Sequence, residues 1–284
     1  MRICAGITRR HAKSFSAGIR LFPLERRWAT WALYGFVRLP DDIVDVEYAN
    51  DIEGGRKALQ EWITEWKFVL AGGETNDPVF RATRWLLKEY PEIKLEWLDT
   101  FLDKMLQDTD TDRYQKYSDL EEYMYGSATV VGYAMAVICG AKGDWMPGAK
   151  ALAEAFQMTN FLRDIDADYQ ERGRVYLPQE DMQHFGVSEQ ALIKKMNDSA
   201  WSSLMRFEIT RTRKLYVVAR KAIAQLSPDC QLGVSIAADI YEAILDKIEA
   251  ADHNVFEKRL KTSTPHKLAL AVRRTGIHLK ERYV

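Results

Sequence analysis

Pro23-Leu24-Glu25-Arg26-Arg27-Trp28-Ala29-Thr30-Trp31-Ala32-Leu33-Tyr34-Gly35-Phe36-Val37 is the stretch on which the fold class turns. Trp28, Trp31, Ala32, Leu33, Phe36 and Val37 recur at the i, i+3, i+4 spacing of one helical face, and Pro23 suits a first helical turn. The same rhythm fills residues 54–71, 77–90, 94–107, 118–140, 147–172, 188–227, 233–256 and 264–281. Ser118-Asp119-Leu120-Glu121 predicts a capping box at the start of the 118–140 segment. Gly72-Gly73, Asp144 to Gly148, Gly186-Val187-Ser188 and Ser227-Pro228-Asp229 punctuate the helices. Strand-like alternation is scarce, and no repeat, low-complexity tract or Ser/Pro/Gly linker interrupts the chain. The expectation is one all-α domain over residues 1–284.

The 47% apolar and 29% charged content over 284 residues is that of a globule with a full core, which excludes wholesale disorder. With 40 Lys+Arg against 41 Asp+Glu, the surplus of cations that a nucleic-acid binder needs is missing. Cys4, Cys139 and Cys230 lie far apart and outside any CxxC or His-spaced pattern, so a reducing, cytoplasmic setting is expected. Arg9, Arg10 and His11 interrupt the N-terminal segment before any apolar run forms, which predicts no secretory signal there. Thr129 to Ala141 carries no charge on any face, but it is only about two-thirds of the roughly 20 residues that span a bilayer. Such a helix must be buried or line an apolar cavity, and Gly132, Ala134 and Ala136 leave space beside it.

Chemistry concentrates in two acidic stretches. In Arg38-Leu39-Pro40-Asp41-Asp42-Ile43-Val44-Asp45, the carboxylates of Asp41 and Asp45 share a helix face at i, i+4 and repel. In Asn160-Phe161-Leu162-Arg163-Asp164-Ile165-Asp166-Ala167-Asp168, the residues Asn160, Asp164 and Asp168 form an oxygen-bearing stripe bordered by Phe156, Phe161, Leu162 and Ile165. Either stretch alone reads as a solvated acidic face. Two of them, each beside an arginine, point to a hard cation, because oxygen ligands without His or Cys suit Mg²⁺ completed by substrate phosphates. Arg and Lys would neutralise the remaining phosphate oxygens, and the cluster would stabilise a departing diphosphate. An allylic carbocation left behind needs a dry, aromatic chamber.

At these residues the sequence resembles the squalene/phytoene synthase family, most closely its bacterial phytoene and dehydrosqualene synthases. The likeness runs in order through His11-Ala12-Lys13-Ser14-Phe15, Trp31 to Asp45, Tyr123 to Gly132, Gln157 to Asp164, Gly173-Arg174-Val175-Tyr176-Leu177-Pro178, and more loosely Tyr241 and Val255 to Arg259. The resemblance implies a single-domain isoprenoid synthase fold with helices around a central apolar cavity. It implies Mg²⁺ (Mn²⁺ as an alternative) on Asp41, Asp45, Asp164 and Asp168 with Asn160. Arg38, Lys13, Arg163, Tyr34, Ser14 and Tyr241 would contact diphosphate, while Ala128, Val131, Gly132 and Gln157 would border the isoprenoid chains. His11, Tyr123, Arg174 and Lys258 complete the candidate set. The family reaction joins C1 of one prenyl diphosphate to the C2–C3 double bond of a second. It forms a cyclopropylcarbinyl diphosphate that ionises again and rearranges. Farnesyl or geranylgeranyl diphosphate as substrate, the need for NADPH, and a C40 against a C30 product (squalene, dehydrosqualene or presqualene diphosphate) are left open. So are a downstream desaturase or partner synthase and peripheral membrane contact. A single-substrate terpene cyclase and a non-catalytic prenyl-lipid-binding or assembly protein are the competing readings.

The chain departs from the family pattern at Pro40, which predicts a kink or a fresh helix start before Asp41. Ala12 and Lys258 also depart from it. The latter stands where relatives carry arginine, and lysine cannot grip phosphate bidentately. Asp108-Thr109-Asp110-Thr111-Asp112 reads as a polar loop rather than a calcium site. Trp62, Trp66 and Trp85 read as packing. The cations of 206–221 read as a solvated helix face, with anionic lipid as the lesser alternative.

Overall fold

The computed structural model describes residues 1–11, 15–44, 48, 51–107 and 112–283, with the side chains of Phe15 and 281–283 undescribed. Lys13, Ser14, Asp45 and most of the 108–112 loop lie outside the described residues. The chain folds as α1 (Arg2–His11), α2 (Phe15–Ile19), α3 (Leu24–Asp42), α4 (Ile52–Leu70), α5 (Pro78–Glu89), α6 (Leu95–Gln107) and α7 (Tyr117–Met124). A π-helical turn, Tyr125–Thr129, leads into α8 (Val130–Ile138). Then come α9 (Met146–Arg172), α10 (Gln179–His184), α11 (Glu189–Ile193), α12 (Ser199–Ala222), α13 (Pro228–Glu249) and α14 (Thr264–Tyr283). The described residues contain no strand beyond an isolated bridge between Arg113 and Val175.

Short polar side chains set several helix starts. Asp77 accepts from the amides of Val79 and Phe80 at 2.7 and 2.9 Å, with Pro78 in the first turn of α5. Asp198 accepts from Trp201 N–H at 2.9 Å and opens α12, so the expected 188–227 helix is in fact α11 and α12 separated by a turn at Lys195 (φ 51°). The expected capping box at Ser118 is displaced: α7 begins at Tyr117, and Asp119 accepts from Lys116 N–H at 2.9 Å. The 233–256 segment begins earlier, at Pro228, and stops at Glu249, after which Asp252 and His253 take positive φ. Pro40 does not start a new helix. The α3 helix continues through it, and a π-type turn at Ile43 and Val44 follows. Only one amide is lost there, close to the helix end, while Leu33 and Phe36 anchor the preceding turns in the core.

Two apolar cores flank the site. Phe36, Leu59, Trp66, Phe80, Leu98 and Leu102 join α3 to α6 with α8, and Trp62 packs its ring 5.2 Å from Phe36. Leu162, Trp201, Leu204, Tyr216 and Leu245 join α9, α12 and α13. Of the cations of 206–221, Arg206, Lys214 and Lys221 are exposed as expected, whereas the other three are held in ion pairs. Arg211 binds Asp181 and Glu208, Arg213 binds Asp246 and Glu249, and Arg220 binds Asp239 and Glu242.

Glu208 is fully buried, and burial raises its carboxyl to about 8 despite the opposing charge of Arg211. The folded state therefore keeps a proton that the unfolded chain releases near its ordinary carboxylate pKa. This contribution to stability is complete below that value and is lost as the pH rises through about 8. Glu208→Gln is expected to remove this slope, so that urea midpoints in mildly acidic and mildly alkaline buffer converge. A slope unchanged from the parent would locate the effect elsewhere.

Candidate active site

Between the two cores lies a cavity of about 1250 Å³. One wall comes from α3, whose register turns Leu33, Tyr34, Val37, Arg38 and Asp41 inward. The opposite wall is α9, whose i, i+4 stripe presents Ala149, Ala153, Gln157, Asn160, Asp164 and Asp168. The uncharged Thr129 to Ala141 segment, expected to be core or cavity wall, supplies Val131, Gly132, Met135 and Ala136, and Ser127 and Ala128 line the cavity just before it. A Cβ on Gly132 would lie 2.7 Å from Ala153 Cβ, so the missing side chain sets how closely α8 approaches α9.

The cavity is polar at one end and apolar at the other. At the polar end Arg38 reaches Asp41 and Asp42, both at 2.5 Å, and His11 stands 3.9 Å from Asp42. Across the cavity, Arg259 grips Asp164 bidentately at 2.7 and 2.8 Å, while Arg163 donates to the same carboxylate. Burial would raise the Asp164 carboxyl, but the hydrogen bonds from Arg163 and Arg259 hold it below the usual carboxylate range. Arg172 binds Asp168 at 3.3 Å, and Arg174, Lys261 and Lys267 also line this end. Burial, then the charge of Arg38, lowers the pKa of His11. Burial raises the phenols of Tyr34 and Tyr241, which stay neutral donors.

Aromatic rings line the middle. Phe161 stacks on Tyr176 at 3.9 Å, Tyr123 stands 5.7 Å from Tyr176, and Phe156 packs 4.5 Å from Tyr241. The apolar end is closed by Ile19, Phe22, Cys139, Leu226 and Val234, with Gly148, Ala219 and Ala222.

Every described candidate from the sequence lines this one cavity except Lys258. Lys258 is exposed and stands outside it, and its neighbour Arg259 enters instead. The segment after α13 is not helical, so no periodicity could tell the two positions apart. Arg10, Lys261 and Lys267 were not singled out as site residues either. They come from segments distant in the chain, and no local spacing marks them.

Among the described residues no three acidic, His or Cys side chains converge into a ready-made metal cage. The described donors are all oxygen, Asp41 from one wall and Asn160, Asp164 and Asp168 from the other, and suit a hard cation that takes its remaining ligands from phosphate and water.

Comparison with known proteins agrees with this architecture. Residues 8–266 match the family model described as squalene/phytoene synthase. A 15-cis-phytoene synthase from Synechocystis sp. is 35% identical over 279 residues, covering 94% of this chain and 81% of that protein. The chloroplastic phytoene synthase of Daucus carota is 32% identical over 272 residues, covering 93% of this chain and 67% of its own. Among solved structures, a dehydrosqualene synthase in complex with ligand superposes with a TM-score of 0.89 at 28% identity, covering 99% of this chain and 96% of that one. A squalene synthase from Alicyclobacillus acidocaldarius gives 0.79 at 26% identity, over 89% and 94%.

Proposed function

Since this chain belongs to the squalene/phytoene synthase family, we propose that it condenses two molecules of geranylgeranyl diphosphate head to head, through a cyclopropylcarbinyl diphosphate, to phytoene. The observation that carries the reading is one cavity with an acid- and arginine-rich mouth between α3 and α9 and a long apolar, aromatic-walled interior. At about 1250 Å³ it exceeds the roughly 300–1,000 Å³ typical of a site for one drug-sized ligand, and it leaves room for two prenyl chains. The C20 choice is supported by the phytoene synthases among its relatives.

Asp41 on one wall and Asp164 and Asp168 on the other, with Asn160 beside them, would hold Mg²⁺ (or Mn²⁺), and Asp45 is proposed with them from its spacing. When bound, the cation supplies the positive charge that stabilises a departing diphosphate. Arg38, Arg163, Arg174 and Arg259 neutralise phosphate oxygens that the carboxylates cannot approach. The C1–O bond of the first substrate breaks, and the C2–C3 π electrons of the second attack C1. Loss of a proton from that C1 gives its electron pair to the C3 cation of the acceptor and closes the cyclopropane. Tyr123, Phe161 and Tyr176 present ring faces and exclude water while positive charge moves along the chain. Tyr34 and Tyr241 line the cavity and would donate to the leaving group. The second ionisation ends in proton loss, so this outcome needs no NADPH.

Incubation of the purified enzyme with each prenyl diphosphate and Mg²⁺, with and without NADPH, tests the reading. A C40 hydrocarbon formed without reductant is expected. A C15 or C20 hydrocarbon would mean cyclisation of one substrate, and a C30 product would mean farnesyl diphosphate. Val234→Phe, which adds bulk at the closed end, should shift preference towards the C15 substrate by about tenfold.

A further inference from the structure

The C-terminal helix α14 has two apolar sides, and the fold covers only one. It packs on α13 with Leu270 and Ile277 half-buried, and Arg274 is clamped to Asp239 at 2.6 and 2.7 Å. Asp239 also takes Arg220 of α12 at 2.7 Å, so the helix is held in one rotational setting. On the other side Leu268, Val272 and Leu279 follow at i, i+4 and i+11 and form one stripe. They are 66%, 65% and 49% exposed. A merely solvated face would carry polar side chains at these positions.

Charge identifies the occupant. The α14 helix carries Lys267, Arg273, Arg274 and Lys280 and no acid before Glu281, although the whole chain is nearly neutral. Arg273 and Lys280 are exposed and border the apolar stripe. An apolar stripe edged by cations is the pattern of a helix that lies in the interface of an anionic bilayer. A second copy of this chain would bring the same cations against these. The location fits as well, because Ser263, Thr264 and Lys267, where the helix begins, line the cavity.

We infer that the outer face of α14 docks this protein on anionic membrane surfaces and sets the cavity mouth beside the lipid. Vesicle binding measured without substrate tests this independently of which prenyl diphosphate the enzyme uses. The whole protein is expected to sediment with vesicles of phosphatidylcholine containing phosphatidylglycerol and much less with phosphatidylcholine alone. The triple variant L268N/V272N/L279N should bind at least about tenfold more weakly. Arg273→Gln and Lys280→Gln should each cost about fivefold, with a weaker salt dependence. Helix content and turnover of detergent-dispersed substrate should match the parent in all of them. Unchanged vesicle binding by the triple variant, or equal binding to neutral vesicles, would overturn the inference. So would a dimer in sedimentation equilibrium that the triple variant abolishes, since it would assign the face to a second copy.

Discussion

Asp164→Asn should lower diphosphate release by about a thousandfold while far-ultraviolet circular dichroism stays unchanged. The substitution keeps the volume of the side chain but removes the charge that Arg163 and Arg259 hold between them. As proposed, that charge positions the cation and, through it, the leaving group, so its loss is felt most in the transition state. The stability cost should be smaller, about 1–2 kcal/mol, because an amide oxygen can still accept from the arginines. A second signature separates electrostatics from misfolding. The folded pKa of Asp164 is lowered, so its contribution to stability is complete above the ordinary carboxylate pKa and is lost as the pH falls through the lowered value. The variant should lack that part of the acid sensitivity. Turnover within a few-fold of the parent would remove Asp164 from the mechanism.

Gly148→Ala should destabilise the fold by about 2–3 kcal/mol, a drop of several degrees in Tm. A Cβ at this position would lie 1.9 Å from Ala222 Cβ, where the start of α9 meets the end of α12. Neither backbone can yield locally, because both helices are tied into the same core through Leu162, Leu204 and Tyr216. Ala222→Gly in the same chain removes the opposing methyl and should recover most of the loss, less about 1 kcal/mol for glycine in a helix. Thermal melts of the four combinations give the coupling directly. Additive losses would show that the two positions do not meet. Both residues line the cavity, so the double variant should also alter the relative use of C15 and C20 substrates.

The acidic stripe on α9 was legible because a helix repeats: Asn160, Asp164 and Asp168 had to share a face, and they do, inside the cavity. The 129–141 segment was legible as buried or cavity-lining for the same reason, since no face of it could meet water. The π turn at Tyr125–Thr129 was not foreseen, nor was the continuation of α3 through Pro40. Both depend on neighbouring elements that hold a helix through a local backbone defect. Arg259 was missed by one position because it stands in an irregular segment, where side-chain direction has no period.

Local sequence therefore determined the helices, their inward faces and the chemical type of the site, since periodicity and residue chemistry act within a few turns. Tertiary structure decided which arginines hold which carboxylates. It also decided how near α8 and α12 come to α9, where the cavity ends, and which side of α14 stays uncovered. Each of these depends on contacts between segments far apart in the chain, whose distances no local pattern encodes.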